Sequence, residues 1–76
     1  MVRVISVRPS GASWTVTDEA AGTDESFLGG AQAELAARDR LDVLAREGHA
    51  VELWIYLRDG SVAGRFVSPV RVLEET

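Results

Sequence analysis

The chain has 76 residues and a mass of 8.2 kDa, which is enough for one small domain. It is 46% hydrophobic and 26% charged, and this composition excludes intrinsic disorder for most of the chain. The sequence has no cysteine, no apolar run near the length of a membrane span and no secretory leader pattern. We therefore expect a cytoplasmic, bacterial-type protein with a single domain over residues 1–76, a core at 2–68 and an extended or frayed segment at 69–76.

The charge pattern argues against nucleic-acid binding. The net charge is −4, and all eight basic residues are arginines that are interleaved with acids. Segment 18–25 contains four carboxylates and no base. Because nucleic-acid-binding proteins cluster basic residues against phosphates, we expect neither a nucleic-acid partner nor a membrane partner.

The first half of the chain predicts a β-hairpin. Residues 2–8 are β-branched and alternate, which is typical of a strand, and residues 13–17 alternate again. Between them, residues 9–12 supply the proline and glycine of a turn. The acidic segment 18–26 predicts a loop, and the short segment 26–28 could add to the edge of the sheet.

A helical period runs from Ala31 to Glu47, and Gly48 stands where a helix would end. Leu35 falls on the polar side of this helix. Gly29-Gly30 before it allows two interpretations, an anion-binding N-terminus or a helix start that packs closely on its neighbours. The expected buried arc contains Ala33, Ala37, Leu41 and Leu44, with Ala45 at its edge.

The strongest signal is a second hairpin. Residues 51–57 alternate, Asp59-Gly60 predicts a two-residue type I′ turn, and residues 62–67 return. This loop length sets the register of the hairpin. It pairs Leu57 with Val62, Ile55 with Gly64 and Leu53 with Phe66 on one face, and Tyr56 with Ala63, Trp54 with Arg65 and Glu52 with Val67 on the other.

The order of elements predicts an α+β fold, β-β-α-β-β, with a four-stranded antiparallel sheet and one helix packed on one face. Leu53, Ile55, Leu57 and Phe66 are the sheet residues that we expect beneath the helix.

Three segments carry a resemblance to known proteins: Gly11-x-x-Trp14-x-Val16, the helix around Ala37-Arg38, and Asp59-Gly60. They resemble a short bacterial family of unknown function, whose members share a G-W-x-V hairpin, an alanine-rich helix and an Asp-Gly hairpin. Because these motifs are structural, the resemblance implies a fold and assigns no catalytic residue. A more distant resemblance is to small antitoxin domains that begin with a hairpin and a helix.

No set of residues predicts catalysis. His49 is the single histidine, and its position allows two interpretations, an exposed loop residue or a pH-sensitive group. The serines lack the sequence context of a catalytic nucleophile. The acid pairs around Gly22 indicate either a solvated loop or a calcium site that lacks the usual ligand spacing. We therefore expect no enzyme activity, no catalytic or cofactor-binding residue, no metal site and no cofactor.

The candidate interface lies on the sheet face that a single helix leaves uncovered. Trp54 and Tyr56 alternate with the buried positions of their strand, and Arg65 and Val67 lie opposite on the returning strand. Large aromatics and arginine are enriched at protein interfaces. This pattern predicts a protein–protein interaction module, most simply a homodimer. Two alternatives stay open: Arg65 stacks on Trp54 and the patch stays solvated, or the protein is a small antitoxin-like or phage-derived regulator that binds a larger partner.

Overall fold

The computed structural model describes residues 2–68, so the predicted extension or fraying at 69–76 lies outside the described residues. The described part of the chain forms five strands and one helix. Their bounds are β1 Val2–Ser10, β2 Ser13–Asp18, β3 Thr23–Phe27, α1 Gly30–Arg46, β4 Ala50–Tyr56 and β5 Val62–Ser68.

The strands form one mixed sheet in the order β3-β2-β1-β4-β5. The predicted α+β class is confirmed, but the prediction of four antiparallel strands is wrong. β1 and β4 are parallel, with Ile5 opposite Leu53, while the other three neighbouring pairs are antiparallel. The long connection through α1 lets β4 enter beside β1 in the same direction. β1 is central because it is apolar on both faces, as the adjacent pair Val4-Ile5 indicates.

The acidic segment 18–26, which we expected to be a loop, contains most of β3. Of the segment 26–28 that we expected at the edge of the sheet, residues 26 and 27 form the end of this edge strand. Gly22 turns the chain with a φ of 69°, and its N–H donates to the Asp18 carbonyl at 2.9 Å. β3 then pairs with β2, and the Thr17 hydroxyl donates to Asp24 at 2.7 Å. The pairing with β2 and the packing of Phe27 against the core outweigh the weak strand propensity of these acids.

The core lies between α1 and one face of the sheet. Two alanines of α1, Ala33 and Ala37, are fully buried, and their small side chains let the helix lie close to the strands. Leu44 and Ala45 are buried as predicted, whereas Leu41 is partly buried. The strand residues of this cluster are Ile5, Val7, Val16, Val51, Leu53 and Ile55.

A glycine at each end of α1 explains where the helix begins and where it ends. At the N-terminus, a Cβ added to Gly30 would lie 3.1 Å from the Trp14 indole, which fits the close-packing interpretation of Gly29-Gly30. At the C-terminus, Gly48 has a φ of 95° and its N–H donates to the Ala45 carbonyl. The His49 N–H donates to the Leu44 carbonyl, which completes a Schellman cap. Within residues 2–68, no helix is long and apolar enough to cross a membrane.

The β4–β5 connection differs from the predicted two-residue turn. The register at Leu53–Phe66, Trp54–Arg65 and Ile55–Gly64 is as predicted, but Tyr56 pairs with Val62 after a register shift. The predicted pairs Leu57–Val62 and Tyr56–Ala63 are therefore wrong. Leu57 and Phe66, both expected beneath the helix, are 47% and 38% exposed and lie outside the buried core cluster.

The turn itself is a type I turn followed by a left-handed glycine. The Gly60 N–H donates to the Leu57 carbonyl at 2.9 Å, and positive φ occurs at Gly60 (89°) but not at Asp59. The Asp59 carboxylate accepts the Ser61 hydroxyl at 2.6 Å and the Ser61 N–H at 2.9 Å, and these bonds favour this geometry over type I′. The same bonds, the hydroxyl first, hold the pKa of the Asp59 carboxyl below its usual 3.8.

Gly60 tests the turn. Gly60→Ala should lower the free energy of unfolding by about 1 kcal/mol, because a side chain is strained at this φ. Gly64→Ala is the matched control, since its Cβ would meet the Phe66 ring at an ordinary 3.5 Å. Urea denaturation of both variants gives the comparison. Equal midpoints for the two variants would contradict the assigned turn.

Substitution of two leucines tests which face of α1 packs on the sheet. Leu44 is 6% exposed and Leu35 is 66% exposed. Leu44→Ala should cost about 2–5 kcal/mol and could unfold so small a domain, whereas Leu35→Ala should cost less than about 0.5 kcal/mol. Thermal denaturation measures both. A larger loss at Leu35 would mean that a different helix face packs on the sheet.

Candidate functional site

The four residues of the predicted interface lie together on the sheet face opposite α1, called the open face below. Trp54 and Tyr56 alternate along β4 with the buried core positions. Arg65 pairs with Trp54 on the neighbouring strand, and Val67 pairs with Glu52 one step further on. We call Trp54, Tyr56, Arg65 and Val67 the aromatic patch.

The rings of the aromatic patch are flanked by arginines. Trp54 and Tyr56 stack with their centroids 6.5 Å apart and their planes inclined by 17°. Arg65 lies over the Trp54 ring at 4.9 Å and Arg8 lies over the Tyr56 ring at 4.2 Å. Arg8 was absent from the predicted site, because only the parallel β1–β4 pairing brings it beside Tyr56. The geometry is a row of alternating guanidinium groups and aromatic rings.

The Glu52 carboxylate contacts both the Trp54 indole N–H and the Arg65 guanidinium. The Trp54 indole N–H donates to the Glu52 carboxylate at 3.0 Å. The second oxygen of Glu52 lies 3.5 Å from the Arg65 guanidinium. Arg65 stacks on the Trp54 ring, as the alternative of a solvated patch requires. The patch combines apolar ring surface with an arginine whose charge is balanced by its own neighbour.

On the rest of the open face, β2 and β3 carry short polar side chains, whereas β1 carries Val2 and Val4 beside Ser6. Ser6 on β1 is buried between its neighbours, and Thr15 and Thr17 on β2 are half-buried. Asp24 on β3 accepts the Thr17 hydroxyl, as described above. The two aromatic side chains of the open face thus lie together on β4.

Exposed apolar side chains also concentrate in the β4–β5 hairpin. Eight large hydrophobic residues of the described chain are exposed, and half of them belong to this hairpin: Leu57, Val62, Phe66 and Val67.

α1 packs mainly over β4, β2 and β1 and leaves β5 largely uncovered. A groove of about 350 Å³ separates α1 from β5, with Leu41 and Phe66 among its lining residues. Arg38 extends over the Phe66 ring at 4.1 Å.

A cluster of charged side chains lies on the helix side of the sheet, and the sequence analysis did not predict it. Asp18, the last residue of β2, is 1% exposed. Its carboxylate lies 3.2 Å from Arg3 on β1 and 3.5 Å from Arg40 on α1. Arg40 also reaches Glu25 on β3 at 3.7 Å. Because Asp18 joins three elements through paired arginines, we assign this cluster a structural role.

The other residues considered from the sequence are dispersed. The His49 ring is partly exposed after the helix cap, with its Nε2 4.0 Å from a Glu47 carboxylate oxygen. In the acidic segment, Asp18 faces arginines, whereas Asp24 lies on the opposite face of the sheet. Over residues 2–68, no group of three histidine or acidic side chains is placed to hold a metal ion.

Comparisons with known proteins give no match. No family model, no curated protein and no solved structure matches this chain. The resemblance to the short bacterial family stays a prediction.

The Asp18 cluster is open to a direct test. Asp18→Asn preserves the shape of the side chain but leaves two arginines facing a neutral group. It should cost about 3 kcal/mol of unfolding free energy, as expected when one partner of a buried ion pair is removed. Asp24→Asn on the exposed edge strand is the control and should cost less than about 1 kcal/mol. Guanidinium denaturation distinguishes the two. Equal losses would contradict the assigned role of Asp18.

Proposed function

We propose that this protein is a non-catalytic protein–protein interaction module of the bacterial cytoplasm that works as a homodimer. The observation that carries the proposal is the concentration of exposed apolar side chains in the β4–β5 hairpin, beside the aromatic patch. Exposed apolar surface gathered in one region is typical of interaction sites, whereas scattered single residues are ordinary.

The size of the domain supports a partner of the same kind. A chain of 76 residues buries about 60% of its unfolded surface and gains little stability from its core alone. Small domains commonly gain stability by oligomerisation. A homodimer covers the exposed apolar surface of the β4–β5 hairpin on two copies at once, so each apolar contact of a two-fold interface is made twice.

A second function, a small regulator that docks on a larger protein, is favoured by the contacts within the patch. Arg8 and Arg65 already cover parts of the two rings, and Glu52 satisfies the Trp54 indole N–H. These contacts would let the patch remain exposed in a monomer until a partner binds. Monomers and homodimers differ in mass, so the two functions are separable in solution.

Sedimentation equilibrium at tens of micromolar tests the proposal. The wild type should have twice the chain mass of 8.2 kDa. Val67→Arg should shift it towards monomer, because a two-fold interface would bring two added charges together. The new arginine would lie opposite Glu52, so the monomer fold should tolerate it.

The matched control is Leu35→Arg, which adds the same charge at an exposed apolar position of α1. This variant should remain a dimer. A wild type that is monomeric at these concentrations contradicts the homodimer and favours the regulator.

A further inference from the structure

We infer that two copies join through their β5 edges, as antiparallel neighbours about a two-fold axis, and so extend the sheet to ten strands. This inference rests on the proposed homodimer and specifies how it is built. An edge strand presents unpaired backbone N–H and C=O groups, which are complementary to those of an antiparallel copy.

The two edges of the sheet differ in charge. The β3 edge carries Asp24 and Glu25 among its five residues, and acidic side chains protect an edge from pairing. Two β3 edges would bring four carboxylates together. β5 has seven residues, of which Arg65 alone is charged. The Glu52 carboxylate 3.5 Å away balances that charge within the same copy. Two β5 edges can therefore meet without an uncompensated repulsion.

β5 is also apolar on both of its faces. Val67 points to the open face and is 53% exposed, whereas Phe66 points to the helix side and is 38% exposed. Packing of two open faces against each other would cover Val67 but would leave Phe66 and the groove beside α1 in solvent. Edge pairing places a second strand beside β5 in the same sheet, and its side chains then lie next to those of β5 on both faces, so it accounts for the exposed residues on either side.

The arrangement has a consequence for the aromatic patch. A two-fold axis perpendicular to the sheet keeps both open faces on the same side of the extended sheet. The two copies of Trp54 and Tyr56, each one strand from the junction, then flank the axis on one continuous surface. The dimer would bring the two copies of Val67 close to the junction and would present the doubled Trp54 and Tyr56 rings to solvent instead of burying them.

Two substitutions distinguish edge pairing from face-to-face packing. Phe66→Thr removes apolar surface from the helix side of β5 and retains strand propensity. Thr15→Arg places a long charged side chain on the open face at β2, which β1 and β4 separate from β5. Edge pairing predicts that Phe66→Thr raises the dimer dissociation constant by at least about tenfold, while Thr15→Arg changes it by less than about twofold.

Sedimentation equilibrium of the full chain measures both constants, and circular dichroism checks that each variant is folded. If Phe66→Thr does not fold, Ala63→Asp, at an exposed position of β5, replaces it with the same expectation. The reverse pattern, with dissociation caused by Thr15→Arg alone, overturns edge pairing but leaves the homodimer intact. A monomeric wild type overturns the homodimer and the edge pairing together.

Discussion

The position of one helix on a five-stranded sheet determines the rest of this structure. α1 packs over β4, β2 and β1, and its buried alanines let it approach these strands closely. A helix is about 10 Å wide while strands are spaced at about 4.8 Å, so one helix cannot cover five strands. Among residues 2–68, it therefore leaves β5 largely uncovered on the helix side, and no element of this part of the chain forms a second layer on the open face. The surface that we propose for association is the part of the sheet that the helix cannot reach.

Two sets of charges have different consequences on the two sides of the sheet. On the helix side, buried Asp18 holds Arg3 and Arg40 and so connects α1 to β1 and β2. On the open face, the Glu52–Arg65 pair is partly exposed, and its energetic contribution to folding is small. Its effect is to neutralise the single charge of β5. The first cluster orients the helix, whereas the second leaves an edge strand that can approach another chain.

Much of the local structure could be predicted because its causes are local. The buried arc of α1, its end at Gly48 and most of the β4–β5 register follow from periodicity and from glycine. The turn at Asp59 was mispredicted, because the two hydrogen bonds from Ser61 favour a conformation that the Asp-Gly pair alone does not specify. Only the last two residues of β3 were expected at the sheet edge. The rest of β3 was missed because acidic residues have weak strand propensity, and its pairing with β2 depends on packing with Phe27 and on contacts to Thr17.

The helix, the two hairpins and the alternation that places Trp54, Tyr56, Arg65 and Val67 on one face were all predictable from the residue pattern. These features depend on neighbours within a few residues, so periods of two and 3.6 residues reveal them. Three features depend on the folded arrangement of the whole domain: β4 lies parallel to β1, Arg8 meets Tyr56, and Asp18 is buried between two arginines. Each of these contacts joins residues far apart in the chain. They form because α1 carries the chain across the sheet to the free edge of β1, and no local pattern specifies which edge receives the returning strand.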